Sequence, residues 1–354
     1  MTLEQCWEAV PGGTATAALA TARALTALSV DVVGVAARHT APPAEPYVPS
    51  VPMAHLPLPR LGLYESWQRF RRPAVQRVTG PVDLVHATTM AVPPKSAPLV
   101  LTVHDLAFLA DPSHFSRRGL SFFRRGLTLA RRDADVVLVP SQAVQTDCVA
   151  AGFAPERLQV VPHGVDSAPA TADDIARVRA TYGLGGRYLL WTGTREPRKN
   201  LRGLLAAFRQ LQADVDLVVV GPVGWGEDLG SMLVRTPRVR VTGFVPAADR
   251  DALYAGAELF AFPSLREGFG LPVLEAMAQG TAVVTSAGTA MAEFAVGALV
   301  DPADSGALAD ALDQLLADDL RRQELSARAR TKAATMTWQA AAATTLAAYR
   351  TLLS

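Results

Sequence analysis

Ten short apolar runs, rich in β-branched residues, punctuate the chain at 30–35, 84–86, 99–103, 136–140, 158–161, 188–192, 217–220, 239–242, 259–262 and 282–285. Between them lie Ala/Leu-rich stretches of helical period. Each run is apolar on both faces instead of alternating, as a parallel strand covered by helices must be. Sustained strand–helix alternation predicts a doubly wound α/β fold. The alternation pauses after Pro162-His163-Gly164-Val165-Asp166 and restarts at Tyr188, which puts a domain junction near 163–180. The expected organisation is one Rossmann-like domain over 1–165, a second over 166–335, and a terminal helix over 336–354 that packs back toward the first. The stretch 40–60 holds seven prolines and reads as a loop.

A length of 354 residues suits two such domains, and 49% apolar residues give each a sizeable core. The net charge of +1 divides into 15 basic against 12 acidic residues over 1–165 and 19 against 21 beyond, which argues against a nucleic-acid binder. Cys6 and Cys148 fit no metal-ligand spacing and read as unpaired thiols in a reducing compartment. No apolar run approaches the length of a membrane span. The start of the chain, with Glu4 and Glu8, lacks the basic segment and apolar core of a signal peptide. The expected location is the cytoplasm.

The richest constellation follows the run at 259–262. It reads Pro263-Ser264-Leu265-Arg266-Glu267-Gly268-Phe269-Gly270-Leu271-Pro272-Val273-Leu274-Glu275-Ala276-Met277-Ala278-Gln279-Gly280. A helix starts near Leu271 or Pro272, since proline suits a first helical turn. The loop glycines let a ligand approach the backbone, and the N–H groups at the helix start form an anion site. Glu275 sits one turn inside, where its carboxylate can accept two hydroxyl hydrogen bonds. After the run at 188–192, Gly193-Thr194-Arg195-Glu196-Pro197-Arg198-Lys199-Asn200-Leu201 places three cations in a loop that opens another helix.

Two glutamates with seven residues between them, within EGFGLPVLEAMAQG, resemble the signature of family 4 retaining glycosyltransferases, which have the GT-B fold. The resemblance extends through the Thr192–Leu201 string, Gly221-Pro222-Val223-Gly224-Trp225-Gly226, Val241-Thr242-Gly243-Phe244-Val245-Pro246 with Leu253-Tyr254, Leu101-Thr102-Val103-His104-Asp105-Leu106 and Asp83-Leu84-Val85-His86. It implies two Rossmann-like domains facing across a cleft. It also implies transfer of a hexosyl group, mannose-like, from a nucleotide-diphosphate sugar such as GDP-mannose or a UDP-hexose to a glycan or lipid-linked acceptor, without a cofactor or metal. By the same resemblance, Glu267 holds the sugar hydroxyls, Glu275 the ribose and the Val245 backbone the base, while N–H groups of Phe269, Gly270 and Leu271 face sugar or phosphate. Lys199 with Arg195 or Arg198 meets the charge that grows on the leaving diphosphate. The family usually has an arginine directly after the glycine, where Thr194 stands here, so the choice between Arg195 and Arg198 is open. Gly12 and Gly13 correspond to the loop facing the donor phosphates, although Met1–Trp7 is a short and polar first strand, and His104 to a residue touching the transferred sugar. His86 and His163 read as loop supports.

Asp-x-Asp occurs at 133–135 and 214–216, each running directly into an apolar strand, so both read as helix-to-strand turns and not as a metal site. Arg117-Arg118, Arg124-Arg125 and Arg131-Arg132 repeat every seven residues with Leu120, Phe122, Phe123, Leu127 and Leu129 between them. On a helix this makes a basic stripe beside an apolar one: a solvated face, or a surface for anionic lipid with Phe122 and Phe123 dipping into the membrane. The rival functions are a GT-B nucleotide-sugar epimerase and a catalytically inactive sugar-binding subunit. A nicotinamide dehydrogenase would need a G-x-G-x-x-G loop that is missing.

Overall fold

The structure is a computed structural model that describes residues 1–166, 168–224 and 230–354. The chain divides into two compact units, Met1–Gly164 with Trp338–Ser354, and Val165–Thr337.

The first unit carries β1 (Gly34–Ala36), β2 (Met53–His55), β3 (Val85–Ala87), β4 (Leu99–Thr102), β5 (Val136–Val139) and β6 (Leu158–Val160). β3, β4, β5 and β6 pair in that order, and β1 pairs with β2, all parallel. Residues 1–3 bridge the two groups. Thr2 forms an isolated parallel bridge to Val35 and donates its N–H to the His86 carbonyl. The first strand expected from residues 1–7 is therefore one bridge long, because a short 3-10 helix takes over at Glu4–Trp7. Two further expectations are corrected. Of the 30–35 run only Gly34 and Val35 are strand, and β1 runs on to Ala36. The proline-rich stretch is not all loop, since β2 lies inside it: an edge strand tolerates flanking prolines because one side of its backbone needs no donor.

The helix Gly12–Ala27 begins at the Gly12-Gly13 pair, and the helix Trp338–Leu353 packs on it. Tyr349 of the latter places its hydroxyl 2.6 Å from Nδ1 of buried His86, whose Nε2 lies 2.7 Å from the Thr102 hydroxyl. His86 thus joins two strands and a helix of this unit instead of supporting a loop. The helix Arg117–Asp133 starts at Ser116, whose hydroxyl accepts from the Gly119 N–H. Phe123 stacks on Phe108 at 5.2 Å and Phe122 lies 5.4 Å from Tyr64. Both rings are half-buried and pack against the core of this unit, which leaves little of either for insertion into a membrane.

The second unit holds β7 (Tyr188–Thr192), β8 (Asp216–Val220), β9 (Val239–Gly243), β10 (Leu259–Phe262), β11 (Val283–Ser286) and β12 (Gly297–Val300). They form one parallel sheet in the order β12-β11-β10-β7-β8-β9. The central strands are buried on both faces, as their unbroken apolar runs require. The order reverses between β7 and β10. At such a switch point the loops leaving two neighbouring strands diverge to opposite faces and open a crevice at the carboxyl ends. Sequence position alone thus brings the loops after Thr192 and after Phe262 side by side.

Candidate active site

The loop after β7 makes a single 3-10 turn at Pro197–Lys199 and then inverts at Asn200, whose φ is +52°. The Asn200 side chain accepts from the Gly203 N–H and so caps the helix Leu201–Phe208; its amide donates to the carbonyls of Pro263 (3.1 Å) and Pro302 (2.7 Å). One asparagine therefore locks the cationic loop to the loop after β10. Leu265 N–H and the Ser264 hydroxyl both donate to the Arg198 carbonyl, which tightens the same junction.

Glu267 lies where the two loops meet. Its Oε2 is 2.6 Å from Arg198 Nη1, and its Oε1 is 3.4 Å from Lys199 Nζ and accepts from the Ser264 hydroxyl at 3.0 Å. Burial alone would raise the Glu267 pKa, but the Lys199 and Arg198 charges and the Arg198 and Ser264 hydrogen bonds outweigh it and hold the carboxyl at about 2. Lys199 Nζ also lies 5.0 Å above the Phe262 ring. The cluster is an ionised carboxylate and two cations held at low exposure, an arrangement with strong local fields because water screens it poorly.

Gly270, at φ +105°, precedes the helix Leu271–Ala278, and a Cβ there would stand 2.4 Å from Met291 Cγ, so only glycine fits. Phe269 stacks on Phe294 at 4.7 Å, which fixes the loop by packing. Leu271 opens the helix, where first-turn N–H groups have no partner within the helix. Glu275 accepts from the Tyr254 hydroxyl at 3.1 Å and lies 3.2 Å from Arg250 Nη2; Tyr254 in turn bonds Thr192 at 2.6 Å. Burial raises the Glu275 pKa above the usual carboxylate range against the pull of Arg250. Val245 is buried in the turn after β9. Arg195 donates its backbone N–H to Pro222, and its Nε is buried without a hydrogen-bond partner among the described residues. Trp225 and Gly226 lie outside the described residues.

In the first unit, His104 follows β4 with Nε2 3.1 Å from the Thr88 carbonyl and its ring 5.5 Å from His163, which lies 5.5 Å from Trp338. His86, His104 and His163 line a cavity of about 30 Å³ with Thr88, Thr102 and Thr345, room for about one water. Burial lowers all three pKa values, those of His86 and His163 to about 3.

Residues 11–169 match the family described as Glycosyltransferase Family 4, and residues 186–318 match the family described as Glycosyl transferases group 1. The O-antigen chain mannosyltransferase B of Escherichia coli is 30% identical over 283 residues, spanning 76% of this chain and 74% of that protein. The chain belongs to glycosyltransferase family 4. A second relative, the MMP alpha-(1->4)-mannosyltransferase of Mycolicibacterium hassiacum, is 32% identical over 244 residues, 66% of this chain and 58% of its own length. Anabaena HepE, solved in complex with UDP and glucose, superposes with a TM-score of 0.75 at 23% identity over 98% of this chain and 97% of its own. Both units of this glycosyltransferase are thus Rossmann-like halves of a GT-B fold.

The structure brings Arg198, Lys199 and Glu267 into one cluster, and it puts Gly270 and Leu271 at the start of the helix that carries Glu275. It places Gly12, Gly13 and His104 in the other unit. Sequence reasoning missed Ser264, Asn200, Thr192 and Arg250, and gave Tyr254 no contact. Tyr254, Ser264, Asn200 and Thr192 all lie within the segments that resemble the family. Arg250 carried no signal, because its partner is 25 positions away on another helix.

The aspartates of both Asp-x-Asp strings are occupied. Asp133 pairs with Arg71 and Arg132, Asp135 with Lys95, Asp214 with Arg238 and Asp216 with Arg240. Among the described residues no helix is long and apolar enough to cross a membrane.

Proposed function

We propose that this glycosyltransferase transfers a hexosyl group, mannose-like, from a nucleotide-diphosphate sugar to a glycan or lipid-linked acceptor with retention at the anomeric carbon. The observation that carries the reading is the Glu267 carboxylate held by Arg198 and Lys199 at the β7/β10 switch point, with Glu275 on the helix that follows. GDP-mannose and UDP-hexoses are the donor candidates: two relatives are named mannosyltransferases, and the HepE structure contains UDP and glucose.

In the reaction the bond between the anomeric carbon and the diphosphate oxygen breaks, and its electron pair leaves with the nucleoside diphosphate. The anomeric carbon bonds to the acceptor hydroxyl oxygen, and the hydroxyl proton is released. Charge on the departing diphosphate is what Lys199, Arg198 and Arg195 are placed to meet, together with the N–H groups of Gly270 and Leu271. These fixed cations make the transfer independent of a metal. Glu267 accepts from the sugar hydroxyls, Glu275 from the ribose, and the Val245 backbone faces the base. His104, with Gly12 and Gly13, serves the first domain's side of the reaction; a histidine kept neutral by burial can hydrogen-bond a sugar hydroxyl without adding charge. Arg117, Arg118 and Arg124 are exposed and offer a peripheral contact with anionic lipid on the inner face of the membrane, where a lipid-linked acceptor would reside.

The test is incubation with GDP-mannose, UDP-glucose and related donors plus mannoside acceptors, with product linkage read by NMR. An α-linked product from an α-configured donor supports the reading. Donor consumed only to free sugar or to an epimer overturns it.

A further inference from the structure

The proline-rich stretch between β1 and β2 forms one side of a groove of about 370 Å³ in the first unit, whose other side is Trp7, His39 and His55. The Trp7 indole stacks on the His39 imidazole at 4.5 Å with 8° between planes, and meets His55 edge-on at 5.7 Å. This platform is held rigidly. Trp7 Nε1 donates to the Ala41 carbonyl at 2.9 Å. Glu4, 4% exposed, lies 2.9 Å from His39 Nε2 and accepts from the Ala37 N–H at 2.7 Å. His55 Nδ1 lies 2.8 Å from the Ala37 carbonyl. Pro42, Pro43 and Pro49 face the platform with fixed backbones that lack N–H donors.

We infer that this groove is an acceptor subsite that binds a neutral pyranose. A sugar ring presents an apolar face of C–H groups, which packs on an aromatic surface, and a rim of hydroxyls, which need a few fixed polar partners. A concave, mostly apolar site with a few placed polar groups matches that ligand. Tryptophan and histidine supply an apolar body with a polar tip. Among the described residues no arginine or lysine lines the groove, so an anionic ligand such as a lipid diphosphate is disfavoured.

Its place in the fold gives the subsite a role. Trp7 follows the Thr2 bridge, His39 follows β1 and His55 ends β2, so all three stand at the carboxyl edge of parallel strands, as His104 does after β4. The Thr2 bridge and β4 are two strand positions apart, on the order of 10 Å. A pyranose on Trp7 is therefore not the ring that receives the new sugar at His104. It is a ring further along the acceptor, and the enzyme reads an oligosaccharide.

This inference rests on the glycosyl-transfer reading above, and one experiment separates their failures. α-Mannotriose and methyl α-mannoside are compared as acceptors for the wild type, Trp7→Ala, Trp7→Phe and His55→Ala, alongside hydrolysis of the donor in the absence of acceptor. Saturation-transfer NMR reads α-mannotriose binding directly, without turnover. The expected result is a trisaccharide KM raised about tenfold in Trp7→Ala, largely restored in Trp7→Phe, with the methyl mannoside KM and donor hydrolysis unchanged. If Trp7→Ala loses donor hydrolysis and so fails to fold, His55→Ala carries the test. Trisaccharide KM and NMR signals equal in wild type and both alanine variants overturn the subsite. Absence of turnover with every donor overturns the transfer reading alone, because the NMR comparison still decides the groove.

Discussion

Lys199 Nζ lies 3.4 Å from Glu267 Oε1, joining a residue after β7 to one after β10 across 68 positions of sequence. The pair exists because the strand order reverses between those two strands. Lys199 also faces Phe262, so its ammonium is held by a carboxylate and a ring and has little freedom to leave. A fixed charge of this kind stabilises a transition state without reorganising first. Lys199→Ala is expected to lower kcat by about a hundredfold or more and to leave donor KM within a few-fold of wild type. Steady-state kinetics check it; a change confined to KM would place Lys199 in ground-state binding.

Glu275 and Arg250 should respond differently. Glu275→Gln removes charge from a group proposed to hold ribose before and during reaction, so donor KM rises and kcat holds. Arg250→Ala acts through pH. Burial already raises the Glu275 pKa and Arg250 opposes that rise. Without Arg250 the carboxyl protonates at higher pH, so the rise of donor KM on acidification should begin at a higher pH in the variant than in the wild type. Coincident KM profiles would refute the coupling.

Asn200→Ala should be among the most destabilising changes in the second unit. It removes a helix cap worth about 1 kcal/mol and leaves the Pro263 and Pro302 carbonyls without that donor, about 1–3 kcal/mol for each buried group. It also forces alanine into the left-handed region, at roughly 1 kcal/mol. Asn200→Gly removes the same hydrogen bonds but relieves the strain, so it should cost less. Urea unfolding of the two variants checks the order.

Much of this site could be read in advance because its parts are local. EGFGLPVLEAMAQG fixes a strand end, a glycine turn and a helix start within one short string, and the Gly270 conformation depends only on its neighbours and Met291. Strands such as Tyr188–Thr192 were legible because burial on both faces leaves an unbroken apolar run. β2 and β12 were not. Met53–His55 is three residues long among prolines, and Gly297–Val300 begins with glycine at the sheet edge, so neither builds a run. The polar contacts that join elements were hidden for a different reason. Ser264 with Glu267, Arg250 with Glu275 and His86 with Tyr349 each depend on side chains meeting after the sheet has formed, and no spacing rule announces them.

The first unit should lose stability in mild acid. Burial lowers the His86 and His163 pKa values to about 3 from an ordinary 6.5. The unfolded chain therefore takes up protons below pH 6.5 while the folded protein does not. Stability from the neutral rings is complete above pH 6.5 and is lost progressively as pH falls toward 3, by up to about 1.4 kcal/mol per pH unit for each group. Glu267 adds its own loss only below about pH 4.5, since its carboxyl stays ionised in the fold down to about 2. His86→Gln, which keeps a polar side chain beside Tyr349 and Thr102, should flatten the decline of Tm between pH 6.5 and 5. An unchanged slope would show that His86 is not a source of the acid sensitivity.

The arginine helix supplies the last prediction. Six arginines at a seven-residue period would repel one another modestly if all faced water together. The structure disposes of several. Arg132 pairs with Asp133, Arg125 with Gln68 and Glu65, and Arg131 packs beside Gly152. Arg117, Arg118 and Arg124 are exposed, as are Arg131 and Arg132, but they lie on the first two turns of the helix, with Arg117 and Arg124 lining a shallow recess that also holds Leu120, Ser121 and Thr128. Because Phe122 and Phe123 are half-buried and pack against the core, any attraction to a membrane is mainly electrostatic. Each arginine near an anionic surface contributes on the order of 1 kcal/mol, so three give weak binding that salt readily screens. Co-sedimentation with vesicles rich in phosphatidylglycerol should therefore show binding at low ionic strength that largely disappears at 0.15 M salt. Changing Arg117, Arg118 and Arg124 together to glutamine should abolish it, whereas Arg131→Gln should leave it nearly intact. Retention of binding in the triple variant would move the contact to another surface, and no binding at low salt would leave the helix as a solvated face.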